Sequence, residues 1–372
     1  MRINYDFYNG KDSYSDGEIE NQIIEYAKIY KNMDEVFKND LRWPVFYHLT
    51  PIRKNILNWY PFKPDSDVLE IGAGMGAITE ALCEKCANVV SVELSKNRAT
   101  SIATRNEDKE NLDIIVGNFN DIDFKGRKFD YITLIGVLEY APTFTNTNNP
   151  YVDFLSKIQT LLKPDGKLLI AIENKFGMKY FAGAPEDHTS VKYDGITGYK
   201  NSKSVQTFGK DEIKAILNET ELKNTKFYYP LPDYKLPSLM FSDDYLPTEE
   251  NIKNYIPYYY EGTEIEFDEI SAYKEIIKND MFEFFANSFF IECSRLPIDT
   301  KGDLEKAELI GISEKSKKFY EKDYSKKNYA EEISRLEKQK GELQHRLTSI
   351  EGSRLWKITK PLRSLRKKFN KK

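Results

Sequence analysis

The constraint that narrows this chain most is the run Asp67-Val-Leu-Glu-Ile-Gly-Ala-Gly-Met-Gly and its continuation to Leu94. A buried-strand pattern (Val68 to Ile71) meets a glycine turn (Gly72, Gly74, Gly76), then a helix to about Cys86, then a second strand (Val89 to Leu94) that carries Glu93. Glycines at 72 and 74 let the backbone approach a ligand where a Cβ would collide, and the helix that follows presents free N–H groups to it. In an open α/β sheet the ligand lies at the carboxyl edge, and an acid closing the second strand accepts hydrogen bonds from ribose hydroxyls. Glu93 holds that place, so the expected ligand carries a ribose.

Gly72-x-Gly74-x-x-Ala77 also satisfies the Gly/Ala form of the dinucleotide fingerprint, which keeps a nicotinamide-dependent oxidoreductase open. Glu70 stands directly before the first glycine, where an acid repels a pyrophosphate but suits the ammonium of a methionyl group. S-adenosyl-L-methionine is therefore the favoured cofactor. On these residues the chain resembles the class I (Rossmann-like) S-adenosylmethionine-dependent methyltransferases, whose first motif reads acid-x-Gly-x-Gly-x-Gly with an acid closing the next strand. The resemblance spans about residues 40–295 and implies an α/β fold. The expected architecture is a doubly wound, mostly parallel seven-stranded Rossmann-like sheet with substrate-binding insertions.

The rest of the chain fits this frame. Residues 1–60 are read as an N-terminal helical cap, with helical spacing from Ile19 to Phe37 and an aromatic stretch containing Tyr47 and His48, either lining the cofactor pocket or packed in the core. The methyltransferase domain is assigned to 61–297. It holds a helix from Arg98 to Arg105, strands at Asp113–Val116, Phe129–Leu134 and Lys167–Ile172, a helix over 151–162 and a turn at Lys163-Pro-Asp-Gly166. In this fold the loop after the third strand reaches the adenine, which makes Asn118 and Phe119 candidates for hydrogen bonding and stacking. Leu94 and Gly136 complete the expected cofactor set, Gly136 as a small residue leaving room for the methionine moiety. Insertions at about 173–205 and 230–286 are expected to build the acceptor pocket, with a helix at 210–219 and a strand at 226–229 between them and a last, antiparallel strand at Asn287–Cys293.

For methyl transfer to a hydroxyl, a base must stand near the attacking oxygen. His188, flanked by Glu186 and Asp187, is the candidate, with a carboxylate orienting the imidazole. Lys175, Asp233, Tyr234 and Lys235 are further candidates for holding acceptor hydroxyls or phosphate. Adenine-directed nucleic-acid methyltransferases need Asn/Asp-Pro-Pro-aromatic after the fourth strand; here Ile135-Gly-Val-Leu138 stands there, and Asn149-Pro150-Tyr151 lies too far on. The run Ala171-Ile-Glu-Asn-Lys-Phe-Gly-Met-Lys-Tyr-Phe-Ala-Gly183, with Glu186-Asp-His-Thr and Tyr47-His-Leu-Thr-Pro-Ile-Arg53, resembles a bacterial branch of these enzymes linked with surface-polysaccharide synthesis. That resemblance implies a glycan, or a nucleotide- or lipid-linked sugar, as acceptor of an O-methyl group.

Composition sets the outer limits. With 40% hydrophobic residues, 25 Tyr and 22 Phe, the 372 residues can build a large core. No apolar run reaches 18 residues and no signal-peptide core opens the chain, so a cytoplasmic protein is expected. Three cysteines fit a reducing compartment, and Cys83-x-x-Cys86, mid-helix with no second pair, is read as packing; no metal ligands are assigned. After a linker at 298–327, Ile333, Leu336, Lys340, Leu343, Leu347 and Ile350 form a short heptad seam within a coiled coil at 328–352, suited to homo-oligomer formation or a glycosyltransferase partner but marginal alone. Residues 353–372 combine Leu355, Trp356, Ile358, Leu362, Leu365 and Phe369 with dense positive charge, the pattern of a peripheral segment on an anionic membrane. The body is acidic, so no nucleic-acid partner is expected. A catalytically silent scaffold of a glycan-assembly complex remains the alternative from another class.

Overall fold

Three residue runs read as strands from their apolar density, 68–71, 89–94 and 129–134, lie side by side at the centre of the computed structural model. The strands are β1 (Arg2–Phe7), β2 (Asp67–Ile71), β3 (Asn88–Glu93), β4 (Leu112–Gly117), β5 (Phe129–Ile135), β6 (Leu162–Glu173), β7 (Asn224–Leu231), β8 (Leu239–Ser242) and β9 (Ser288–Ser294). They form a nine-stranded sheet in the order β1-β4-β3-β2-β5-β6-β9-β7-β8. β9 runs antiparallel to β6 and β7, β8 antiparallel to β7, and the remaining pairs are parallel. The structure describes residues 1–298 except 13–14, 201–203, 254–256 and 258–262, together with residues 338, 340 and 341. The heptad seam apart from Lys340, the basic tail, the linker beyond 298 and the tyrosines at 258–260 lie outside the described residues.

A parallel strand is covered on both faces, so its sequence is continuously apolar rather than alternating. Val68 packs with Val89, Ile114 and Leu169 on one face, while Leu69 and Ile71 pack with Val90, Ile132 and Leu134 on the other. The register aligns Ile71 with Val92 and with Leu134, which brings the ends of β2, β3 and β5 to one edge. β2 is also where the strand order reverses, with β3 on one side and β5 on the other. Ligands of open α/β sheets bind at such a switch point.

Two strands escaped the sequence reading. β1 takes the sheet edge beside β4 and is half-exposed, so its residues Arg-Ile-Asn-Tyr-Asp-Phe carry little apolar signal; the first sixty residues are therefore not purely helical. β8 is four residues long and sits inside the second insertion. The turn expected at Lys163–Gly166 is a bulge in β6, which pairs Phe129 with Leu162 and then resumes with Tyr131 beside Lys167. The N-terminal segment holds short helices, the longest at Ile19–Ile29, which packs on the helix Lys96–Arg105. That second helix begins at Ser95, whose hydroxyl accepts from the Arg98 N–H. Cys83 ends within the helix Thr79–Lys85 and Cys86 just past it, both buried as free thiols in helix–sheet packing. Among the described residues no helix is long and apolar enough to cross a membrane.

Two buried asparagines tie the insertions to the sheet. Asn174 Nδ2 donates to the carbonyls of Phe284 (2.7 Å) and Ala286 (2.8 Å). Asn287 Nδ2 donates to Pro232 O and Glu269 Oε1, each at 2.9 Å, and its Oδ1 accepts from the Lys179 N–H at 2.8 Å. Replacing Asn287 by Ala strips partners from three groups in a dry interior. The expected loss is about 2–4 kcal/mol of unfolding free energy, read as a lower urea midpoint with the slope unchanged.

Candidate functional site

The carboxyl edge of the sheet opens into a cavity of about 380 Å³. One wall is the glycine turn after β2. Gly72, Gly74 and Gly76 all have positive φ. At Gly74 nothing lies within 4 Å of where a Cβ would sit, so its exposed backbone faces open space. Gly76 does not line the cavity: a Cβ there would stand 3.0 Å from Ile102 Cα, so it serves helix packing instead. The Gly74 N–H donates to Glu93 Oε2 at 2.7 Å, and the Ser95 N–H donates to Glu93 Oε1 at 2.9 Å. The acid at the end of β3 thereby ties two turns together, and burial still holds its pKa above the usual carboxylate range. Glu70 lies beneath, its Oε2 accepting from Thr79 Oγ1 (2.8 Å) and Ser91 Oγ (2.6 Å). Burial, against those two hydroxyls, pushes its carboxyl up to about 7.

The remaining expected cofactor residues all face this cavity, with qualifications. Leu94, Asn118, Phe119 and Tyr47 line it. Asn118 Oδ1 also accepts from the Asn120 N–H, and Phe119 stands edge-on to Phe154 at 5.5 Å, so each has a structural duty as well. Tyr47 carries the Arg53 guanidinium 4.2 Å from its ring centroid. The space expected above Gly136 is filled by a protein group: a Cβ there would come within 2.7 Å of the Tyr234 hydroxyl. The sequence reading missed Asp16 and Arg98. Arg98 reaches Asp16 (2.9 Å) and Glu20 (2.7 Å), and Asp16 Oδ2 meets His48 Nε2 at 3.0 Å, which fastens the N-terminal segment along the cavity rim.

The opposite wall comes from the end of β5, the end of β6 and the two insertions. His188 Nδ1 lies 3.0 Å from the Tyr140 hydroxyl and its Nε2 lies 3.5 Å from Glu173 Oε2. The acid facing the imidazole is thus Glu173, which corrects the expectation that Glu186 or Asp187 orients it. Glu186 folds back to accept the backbone N–H groups of His188 (2.7 Å) and Thr189 (2.6 Å). Asp187 pairs with Lys179 (2.9 Å) and Lys235 (2.6 Å). Lys235 also binds Glu173, and the Tyr234 hydroxyl donates to the same carboxylate at 3.2 Å. Lys175 instead reaches Glu212 and Asp233 holds Lys179, and neither faces the cavity.

Electrostatics changes the chemistry expected here. Burial raises Glu139 to about 8, helped by the charge of Glu173. Burial would raise Glu173 too, but Lys235 and His188 outweigh it and hold it well below the usual range. Burial would lower His188, but Glu173 and Glu139 overcome that and lift it to about 9. The two acids thus favour the protonated ring, a hydrogen-bond donor, over the neutral one. The base role expected of His188 is unavailable while that proton stays.

Residues 69–170 match the methyltransferase domain family. Those residues carry a methyltransferase domain. Demethylmenaquinone methyltransferase of Bacillus licheniformis is 23% identical over 221 residues, covering 55% of this chain and 88% of that protein. Ribosomal RNA small subunit methyltransferase A of Geobacter metallireducens is 35% identical over 63 residues, 17% of this chain and 23% of its own. Ubiquinone biosynthesis O-methyltransferase of Actinobacillus pleuropneumoniae serotype 7 is 30% identical over 118 residues, 29% of this chain and 46% of its own. The chain thus spans less than half of the last two relatives. S-adenosylmethionine is the cofactor of the methyltransferase domain, and the residues present fit it: nothing stands where a Gly74 Cβ would sit, and the Glu93 carboxylate at the cavity edge offers acceptor oxygens for a ribose hydroxyl.

Two outcomes follow for S-adenosylhomocysteine binding by calorimetry. Glu93→Ala is expected to weaken it about 10- to 100-fold, the worth of one charged hydrogen bond to a ribose hydroxyl. Glu70 is neutral below about 7 and a carboxylate above it, and only the carboxylate attracts an ammonium. Affinity should therefore fall as pH drops from 8 to 6, and Glu70→Gln should bind more weakly and lose that pH dependence.

Proposed function

We propose that the protein transfers a methyl group from S-adenosylmethionine to a hydroxyl of a sugar, in a cell-surface glycan or in its nucleotide- or lipid-linked precursor. The observation that carries this reading is the acceptor wall: Glu139, Tyr140, His188, Tyr234 and Lys235 line the same cavity as the glycine turn. Buried charged and hydroxyl-bearing groups suit an acceptor rich in hydroxyls and poorly suit an apolar quinone. The cofactor supplies a methyl group on a positively charged sulfur. Glu70, Gly72, Gly74 and Glu93 hold it in this reading, with Leu94, Asn118, Phe119 and Tyr47 around the adenosine. Tyr234 and Lys235 orient the acceptor, and His188 stands beside them on the same wall.

The resemblance of residues 171–189 to a surface-polysaccharide branch supports the sugar acceptor, and the relative from ubiquinone biosynthesis supports transfer to oxygen. The match to demethylmenaquinone methyltransferase favours a second reading, methylation of a demethylated quinone. Against an RNA acceptor, Asn149-Pro150-Tyr151 opens a helix and Tyr151 packs on Phe208 at 4.8 Å, away from the glycine turn.

Methyl-labelled cofactor offered with nucleotide sugars, lipid-linked sugars, a demethylated quinone and ribosomal RNA separates these readings. Label in a sugar fraction, lost in Lys235→Ala, is the expected result; label confined to quinone or RNA overturns the sugar reading, and no transfer to any acceptor favours the scaffold. The basic tail is proposed to hold the domain at an anionic membrane face. Deletion of residues 353–372 should abolish sedimentation with phosphatidylglycerol vesicles while soluble nucleotide sugars are still methylated.

A further inference from the structure

Beside the cofactor turn, the cavity ends in buried polar atoms that make no hydrogen bond. Glu139 is fully buried, yet neither Oε1 nor Oε2 makes a hydrogen bond. Glu173 Oε2 and His188 Nε2 face each other at 3.5 Å as an ion pair and make no hydrogen bond, with Glu173 fully buried and the His188 side chain 8% exposed. Buried polar atoms are almost always satisfied by protein or an ordered partner, and one carboxylate with both oxygens orphaned is the kind of exception that calls for a ligand. These atoms do not scatter. One donor atom from each of Glu139, Glu173 and His188 lies within 4.8 Å of the other two.

We propose that Glu139, Glu173 and His188 bind one divalent metal ion at the acceptor end of the cofactor cavity. An ion about 2.1 Å from each donor needs donors about 3–4 Å apart, which side-chain rotations that close the widest pair by about 1–2 Å achieve. The groups behind the donors are already placed as metal sites require. The Tyr140 hydroxyl meets His188 Nδ1 at 3.0 Å, which aims Nε2 into the cluster. Tyr234 and Lys235 hold Glu173 Oε1, which leaves Oε2 for the ion. Two carboxylate oxygens and one imidazole nitrogen, with no thiolate, suit Mn²⁺ or Mg²⁺ in octahedral coordination. Three protein donors leave three positions for water or for acceptor oxygens. Glu139 and His188 line the cavity, so those positions open toward the acceptor.

The inference rests on the methyl-transfer reading for its consequence, which is a narrower acceptor class. The ion takes two neighbouring oxygens at once, as in a vicinal diol or a hydroxy acid. Coordination weakens the O–H bond of the reacting hydroxyl, and its proton leaves to bulk water. The oxygen lone pair then forms the O–CH₃ bond while the S–CH₃ bond breaks, its electron pair returning to sulfur, so the sulfonium becomes a neutral thioether. His188 is in this scheme a neutral ligand, not the base expected from the sequence.

The ion alone tests the site. Protein stripped with EDTA is titrated with MnCl₂ and the loss of the free-Mn²⁺ electron paramagnetic resonance signal is followed, with MgCl₂ as competitor. One Mn²⁺ per chain is expected, weakened at least tenfold in both Glu139→Gln and His188→Gln. Their S-adenosylhomocysteine binding is expected to stay within about threefold of wild type, which reports an intact fold. No saturable binding below millimolar Mn²⁺, or equal binding by wild type and both variants, overturns the site. Sugar methylation undiminished in EDTA overturns it as well and leaves the sugar reading standing. Mn²⁺ bound at these residues with no transfer to any sugar has the opposite meaning: the site stands and the sugar reading falls.

Discussion

Burying charge is tolerable only when opposite charge is buried beside it, and the acceptor half of this protein depends on that condition. Lys179, Asp187, Lys235 and Glu173 alternate in sign across three separate pieces of chain, the first insertion, the second insertion and the end of β6. Removing one member would strand an uncompensated ion in a dry interior, at a cost of several kcal/mol. The two insertions are therefore coupled: each supplies the counter-charge of the other. Asn174 and Asn287 reinforce this by satisfying backbone groups where the insertions leave the sheet.

The cofactor half follows a different logic. There the backbone provides the surface, and the Gly74 N–H bond to Glu93 fixes the turn after β2 against the end of β3. The N-terminal segment closes over it through the Asp16, Glu20, Arg98 and His48 contacts. Between the halves stand Gly136 and Tyr234, in contact because the glycine has no side chain. A methyl donor held by the first half would face the polar wall of the second, which is the arrangement that transfer by displacement requires.

Much of the cofactor half is legible in the sequence because its signals are local. A continuously apolar strand, glycines at 72 and 74 and an acid about twenty residues on lie in one short run, and β2, β3, β4 and β5 were found within a residue or two of their ends. Edge strands lack that signal: β1 is half-exposed and β8 too short to show a period. Gly136 was recognised as a position that must be small, but its neighbour proved to be a tyrosine from residue 234.

The acceptor half shows the complementary case. His188, Glu186 and Asp187 are adjacent in sequence, and adjacency suggested that they act together. In the fold Glu186 turns to its own backbone, Asp187 to two lysines, and His188 to Glu173 and Tyr140, none of them a near neighbour in the chain. Sequence by itself determined the parallel strands, the glycine turn and the acid that ends β3, since each depends on residues close along the chain and on backbone geometry. Only the tertiary structure decided which carboxylates face the imidazole, which ions are paired and which buried atoms are left open, because Coulomb energy and desolvation depend on distances in space that residue order does not encode.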